Sequence, residues 1–244
     1  MIFTGPRWWA GLMQLGIFAA ELVLLFAVLR RCHRLNRAAV FLVGVYFLAY
    51  KLWEYISNRK WPIDFSALSY FLFGIAAVLP FRPLKTAASF SGFLAGGIFI
   101  VSYIVFPEFH AQTNPVFYYR AMGFFNHNLL FTMSFAMLFQ YRFRPSHIVW
   151  IAGWIAAVVI YSEVMINVLH VVDTVEVLTK IIDGTILSDL FPAFTPAWWS
   201  VGLYYILCLG LLCFFVWLVY RLNAAFCKQK ADPLRHKSGQ QSIS

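Results

Sequence analysis

Charge is scarce in this chain. Only 12% of its 244 residues are Asp, Glu, Lys or Arg, while 61% are hydrophobic and the mean hydropathy is +0.73. That balance excludes a single water-soluble core, which could not hide so much apolar surface. Cysteine is scarce too, at four residues. Cys32 and Cys227 fall beside predicted cytoplasmic helix ends, and Cys208 and Cys213 fall within an apolar run, so no disulfide framework is expected. The first two lie where acylation could occur, but plain free thiols are the simpler expectation. No H-E-x-x-H or C-x-x-C spacing occurs. A metal site would have to be assembled from His110, His127, His170 and Glu108 or Glu163, so neither metal nor cofactor is expected. Residues 196–221 contain no lysine, which excludes a retinal-type chromophore on the last helix. The N-terminal apolar run lacks a small-residue cleavage site before it ends and reads as a retained helix, not a signal peptide.

What the chain does have is long apolar runs. Crossing the hydrocarbon takes about 20 apolar residues as a helix, because a helix pairs its own backbone amides where no water can. Runs bounded by charge or proline fall at roughly 8–30, 38–57, 63–81, 86–106, 121–141, 147–170 and 196–221. The predicted fold is therefore all-α, a polytopic transmembrane bundle of about seven spans over residues 1–227. A polar tail follows at 228–244 and is expected to be disordered.

The net charge of +9 would suit nucleic acid, but the cations lie in short loops beside apolar runs, so membrane topology explains them and no nucleic-acid partner is expected. Counting Lys and Arg by alternate loops gives thirteen on one side (Arg30, Arg31, Arg34, Arg37, Arg82, Lys85, Arg142, Arg144, Arg221 and the tail) against five on the other. This asymmetry places the N-terminus outside and the C-terminus in the cytoplasm of an inner or plasma membrane. Trp8, Trp9, Trp61, Trp198 and Trp199 sit at the predicted outer boundaries, in keeping with that orientation. Ala88, Gly92 and Gly96 on the fourth span form a four-residue repeat of small side chains, a seam for close helix packing within the chain or with a partner protein. Between the last two spans, residues 171–195 carry Asp173 and Glu176 at capping-box spacing, which predicts a small helix on the outer surface.

Polar side chains in hydrocarbon cost roughly 2.5 to 3.5 kcal/mol each when charged, so they face the bundle interior and need partners. Here they gather in the outer half. The second span carries Lys51 and Glu54, the third starts with Asp64 and Ser66, and the fifth carries Asn126, His127 and Asn128. The sixth ends in Glu163, Asn167 and His170, spaced to share one face. Glu21 stands alone in the middle of the first span. One account is mutual satisfaction, with Lys51 and Glu54 pairing at i, i+3 and the asparagines bonding across helices. The other is a polar cavity open to the outer leaflet. There His127 would act as base toward a hydroxyl such as that of Ser66, with Glu163 or Glu54 orienting its ring. Lys51, Glu54, Asp64, Asn126, Asn128, Glu163 and Asn167 would surround the pair.

The stretch Trp61-Pro62-Ile63-Asp64-Phe65-Ser66-Ala67-Leu68-Ser69 resembles the L-P-L-x-L-C-x-L-S segment of the YwaF-type integral membrane family. Similar too are the small-residue helix from Ser91 to Gly97 leading to Phe106-Pro107-Glu108, the Phe124-Phe125-Asn126-His127 opening of the next helix, and Pro196-Ala197-Trp198-Trp199 before the last. Together they span most of residues 40–220. An animal relative of that family is similar to a thioester-forming acyltransferase that remodels ether phospholipids. The resemblance places its cysteine nucleophile at Ser66 and its histidine at His127. A serine hydroxyl has a far higher pKa than a thiol and needs a stronger base. The resemblance thus implies Ser/His acyl transfer or hydrolysis on membrane lipids, or a fold that has lost the reaction. A transporter or small-ligand binder using the same cavity, and a membrane scaffold using the Gly92/Gly96 seam, are the non-enzymatic alternatives. The absence of an internal repeat counts against a standard transporter.

Overall fold

The computed structural model describes residues 8–58, 61–62, 64–105, 107, 110, 116–171 and 198–227. Seven helices of 14 residues or more are found among them: α1 (Trp8–Val23), α2 (His33–Asn58), α3 (Phe65–Val78), α4 (Arg82–Val105), α5 (Phe117–Leu138), α6 (Ile148–Glu163) and α7 (Trp198–Phe226). Five segments, Trp9–Leu29, His33–Asn58, Arg82–Val105, Pro145–Glu163 and Ser200–Phe226, are long and apolar enough to cross a membrane. This is a helical bundle of the multi-pass membrane type. Its outer faces carry side chains such as Ile206, Leu207, Leu209 and Trp217, all more than half exposed, a continuous apolar coat that lipid covers and water would not. The predicted outer-surface helix at 171–195 and the tail at 228–244 lie outside the described residues, apart from Val171.

Two helices widen at their ends. After Val23 the backbone of α1 continues through Leu24–Leu29 with amides reaching back five residues, as Arg30 N does to Leu25 O at 2.8 Å. After Glu163 the backbone of α6 does the same through Val164–Val168, with Leu169 N bonding Val164 O at 3.0 Å. That second segment ends at His170, whose φ of 52° turns the chain out of the helix. Helix α3 is shorter than the run 63–81 suggests. Leu79 adopts ψ 139°, the extended conformation imposed on a residue preceding proline, here Pro80, so the helix stops at Val78.

Helix α4 is central, touching α1, α3, α5, α6 and α7, and its largest interface is with α5. Glycine permits the approach. A Cβ on Gly96 would lie 2.7 Å from Phe131 Cβ and 2.8 Å from the carbonyl oxygen of His127, and a Cβ on Gly92 would collide with Ser134 Oγ. The small-residue seam predicted on the fourth span is a packing seam, with Gly92 and Gly96 set against α5 of the same chain. A second close crossing joins α2 and α3, where a Cβ on Gly44 would overlap Ala77 Cβ and one on Gly74 would lie 2.9 Å from Gly44 O.

Several interior polar groups are paired across helices, as a medium without water favours. Gln14 of α1 and Asn128 of α5 exchange two amide bonds of 2.6 and 3.2 Å. Ser91 of α4 bonds Ser69 of α3 at 2.7 Å and accepts from Trp154 Nε1 of α6 at 2.8 Å. Asn223 of α7 accepts from Phe143 N and donates to Leu138 O and Tyr141 O, clamping the last helix to the α5–α6 connection. Glu21 keeps one buried carboxylate oxygen without a partner among the described residues. All four cysteines are free thiols.

Candidate functional site

The α2–α3 connection and the start of α5 lie at one end of the bundle, and there the polar residues of three helices converge. They line a cavity of about 480 Å³. Helix α2 contributes Lys51 and Glu54 from its last two turns, the start of α3 contributes Asp64 and Ser66, and the first half of α5 contributes Asn126 and His127. Six of the nine residues expected from the sequence to form the cavity thus share one space.

Ser66 stands in the first turn of α3. Asp64 precedes that helix in extended conformation and makes no side-chain cap, and the first backbone bond runs from Leu68 N to Asp64 O at 3.0 Å. The amides of Phe65, Ser66 and Ala67 accordingly have no intrahelical acceptor. His127 donates Nδ1–H to the carbonyl of Gly123, one turn back, at 2.7 Å. A carbonyl only accepts, so the neutral ring carries its proton on Nδ1 and leaves Nε2 as the basic nitrogen. Phe99 of α4 lies flat on the imidazole, with ring centroids 4.0 Å apart and planes 11° from parallel. Tyr70 meets it edge-on at 5.7 Å. Backbone and aromatic stacking hold this ring, then, in place of the carboxylate the sequence suggested. Glu54 is engaged by Lys51 at 2.6 Å, and Glu163 by Asn167 at 2.6 Å. Ser66 and His127 make no hydrogen bond to each other.

Three expected neighbours are elsewhere. Asn128 points to Gln14 and Phe124 O, because a residue next to His127 on a helix faces about 100° away. Glu163 and Asn167 bond each other at the periphery of α6, and neither is among the cavity's described lining residues. His170 leaves their common face because the helix ends there.

A tyrosine set was missed by reading the sequence for charge alone. The ammonium of Lys51 lies 4.8 Å from the ring centre of Tyr70, 5.3 Å from Tyr50 and 5.9 Å from Tyr55, so π faces and one carboxylate enclose a cation that is only 9% exposed. Tyr46 OH donates to Asn126 Oδ1 at 2.8 Å, which leaves the Asn126 amide hydrogens as donors. The signal was present as spacing, since Tyr46, Tyr50 and Glu54 follow i, i+4, i+8 and Lys51 and Tyr55 follow i, i+4. The hydroxyl of Tyr70 is buried at the cavity wall and has no hydrogen-bond partner among the described residues. No group of three His, Cys, Asp or Glu among the described residues could hold a metal ion. Compared with known protein families, with curated proteins and with solved structures, the chain finds no match.

Proposed function

We propose that this is a seven-span protein of an inner or plasma membrane, N-terminus outside and C-terminus in the cytoplasm, that transfers or hydrolyses lipid acyl groups at its outer end. The observation that carries the proposal is the shared cavity, into which two separate helices bring Ser66 and His127. The YwaF-type resemblance supplies the roles. Ser66 Oγ attacks the ester carbonyl of a membrane lipid and forms a new C–O bond as its proton passes to His127 Nε2. The ester's own C–O bond then breaks, and the protonated imidazole returns the proton to the departing alcohol. Attack on the acyl-serine by water or a second alcohol, deprotonated by the same nitrogen, completes hydrolysis or transfer. The Asn126 amide and the first-turn amides of α3 are donors suited to the oxyanion. Lys51 would face a lipid phosphate, and Tyr70 would gain the partner its buried hydroxyl lacks.

Incubation of the protein in lipid nanodiscs with a lipid-like fluorophosphonate tests this. Ser66 should be labelled in the wild type and unlabelled in Ser66→Ala, and labelling should slow by at least ~100-fold in His127→Gln, the usual contribution of a general base. Wild-type protein that stays unlabelled would overturn the acyl reading.

A second reading, a binding or transport protein using the same cavity, is favoured by the missing Ser66–His127 bond and by the enclosed Lys51. It predicts ligand binding or flux that survives Ser66→Ala and fails in Lys51→Met.

A further inference from the structure

A second cavity, of about 370 Å³, opens at the opposite end of α2 and α3. Arg37 of α2 and Arg82 and Lys85 of α4 face it, together with Gln140 and Tyr141 just beyond α5. Its lining includes no carboxylate, and none of the three cations makes an ion pair among the described residues. Arg82 and Lys85 are three apart on the first turn of α4, so they share a face. That turn contains no acidic residue; Pro83 has no N–H and Lys85 N bonds Phe81 O at 3.2 Å, so the positive end of this 24-residue helix is presented by the amides of Arg82 and Leu84. Gln140 donates to Asn36 Oδ1 at 2.8 Å, and Asn36, fully buried, donates to Ala136 O at 3.0 Å, so α2 and the end of α5 are tied together beside the cations.

Three like charges converging on one space repel each other, and unpaired basic loops need not converge in order to set membrane topology. We infer that this cavity binds a phosphate group, presented by a phospholipid headgroup or by phosphate free in water. Two guanidinium groups supply planar donor pairs that match phosphate oxygens, and the ammonium adds a compact charge. Basic pockets between membrane helices take anionic headgroups in this manner. The inference stands on different residues from the acyl-transfer reading and requires neither membrane orientation, since headgroups line both faces.

Native mass spectrometry of the detergent-solubilised protein, equilibrated with equal phosphatidic acid and phosphatidylcholine, tests it. The wild type should retain phosphatidic acid roughly ten-fold over phosphatidylcholine, and Arg37→Gln with Lys85→Gln should abolish the preference. The single variants, should the double one not assemble, should each reduce it. Arg31→Gln with Arg34→Gln removes the same charge outside the cavity and should keep it. Adding inorganic phosphate separates the sources: displacement of the lipid assigns the site to free phosphate as well, and no displacement assigns it to the headgroup. Equal retention of both lipids, an undiminished preference in the cavity variants, or an equal loss in the Arg31/Arg34 control would overturn the inference.

Discussion

Gly96→Ala tests how α4 positions His127. A methyl group there would lie 2.8 Å from the carbonyl oxygen of His127, 2.8 Å from Phe131 N and 2.7 Å from Phe131 Cβ. Restoring an ordinary contact of about 3.4 Å to that oxygen moves α5 away from α4 by about 0.6 Å. Overpacking of this size costs typically 1–3 kcal/mol. No side-chain substitution on α5 relieves it, because two of the three obstructing atoms are backbone. Gly92→Ala provides the contrast, since its nearest obstacle is the side-chain oxygen of Ser134. Adding Ser134→Ala should recover most of that loss. Unfolding of each variant in mixed micelles, followed by circular dichroism, measures the four stabilities, and fluorophosphonate labelling reports the cavity. Gly96→Ala should lose stability and slow labelling together, with no rescue from Phe131→Ala. A neutral Gly96→Ala, or rescue at Gly96 equal to that at Gly92, would refute the claim that α4 sets the position of the His127 backbone.

Gln14→Leu and Asn128→Leu should each destabilise the bundle by leaving the other amide unpaired in the interior. Their double-mutant coupling in the same assay should be about 0.6 kcal/mol, at most about 1.7, and a coupling of zero would show that the α1–α5 amide pair contributes nothing. His110, between α4 and α5, bonds Ser102 Oγ at 2.9 Å, and burial lowers its pKa below the usual imidazole value. The folded state therefore favours the neutral ring. The resulting stability is fully present above about pH 6.5, the ordinary value, and is lost as pH falls from there through the depressed one. Melting temperatures taken from pH 8 to 5 should fall more steeply for wild type than for His110→Phe, which keeps the stack on Tyr103 but cannot titrate; parallel curves would remove His110 as the cause.

The helical pattern was legible because each helix advertises itself through a long apolar run, and proline or charge marks most ends. The ends moved where chemistry outside hydropathy intervened. Helix α2 begins at His33, five residues before the apolar run, since Arg34 and Arg37 are compatible with a helix whose polar face reaches water and Asn36 finds Ala136 O inside. The convergence of Lys51, Glu54, Asp64, Ser66, Asn126 and His127 was legible as a shared height, because polar groups near the same ends of neighbouring helices meet when those helices pack. Rotation about each helix axis was not. A one-residue step separates Asn126 and His127, which face the cavity, from Asn128, which faces α1, and neither hydropathy nor count distinguishes them. The stacking of Phe99 on His127 was equally hidden, since it depends on the depth at which Gly96 lets α4 and α5 meet.

Both cavities belong to the α2–α3 pair, and their spacing follows from helix geometry. Arg37 and Lys51 are fourteen residues apart on α2, which at 1.5 Å per residue is about 21 Å. That is less than the hydrocarbon thickness of about 30 Å. The two spaces thus open at opposite ends of α2, closer together than that thickness. Their charges differ in kind. Lys51 shares the first cavity with two carboxylates, Glu54 and Asp64, so that space carries no excess of cations. Arg37, Arg82 and Lys85 face the second cavity with no carboxylate among its lining residues. The Gly44–Gly74 crossing between α2 and α3 lies between the two cavities and ties them together. Gly44→Leu should therefore disturb fluorophosphonate labelling and phosphatidic acid retention in one variant, whereas Gly96→Ala, far from the basic end, should disturb labelling alone.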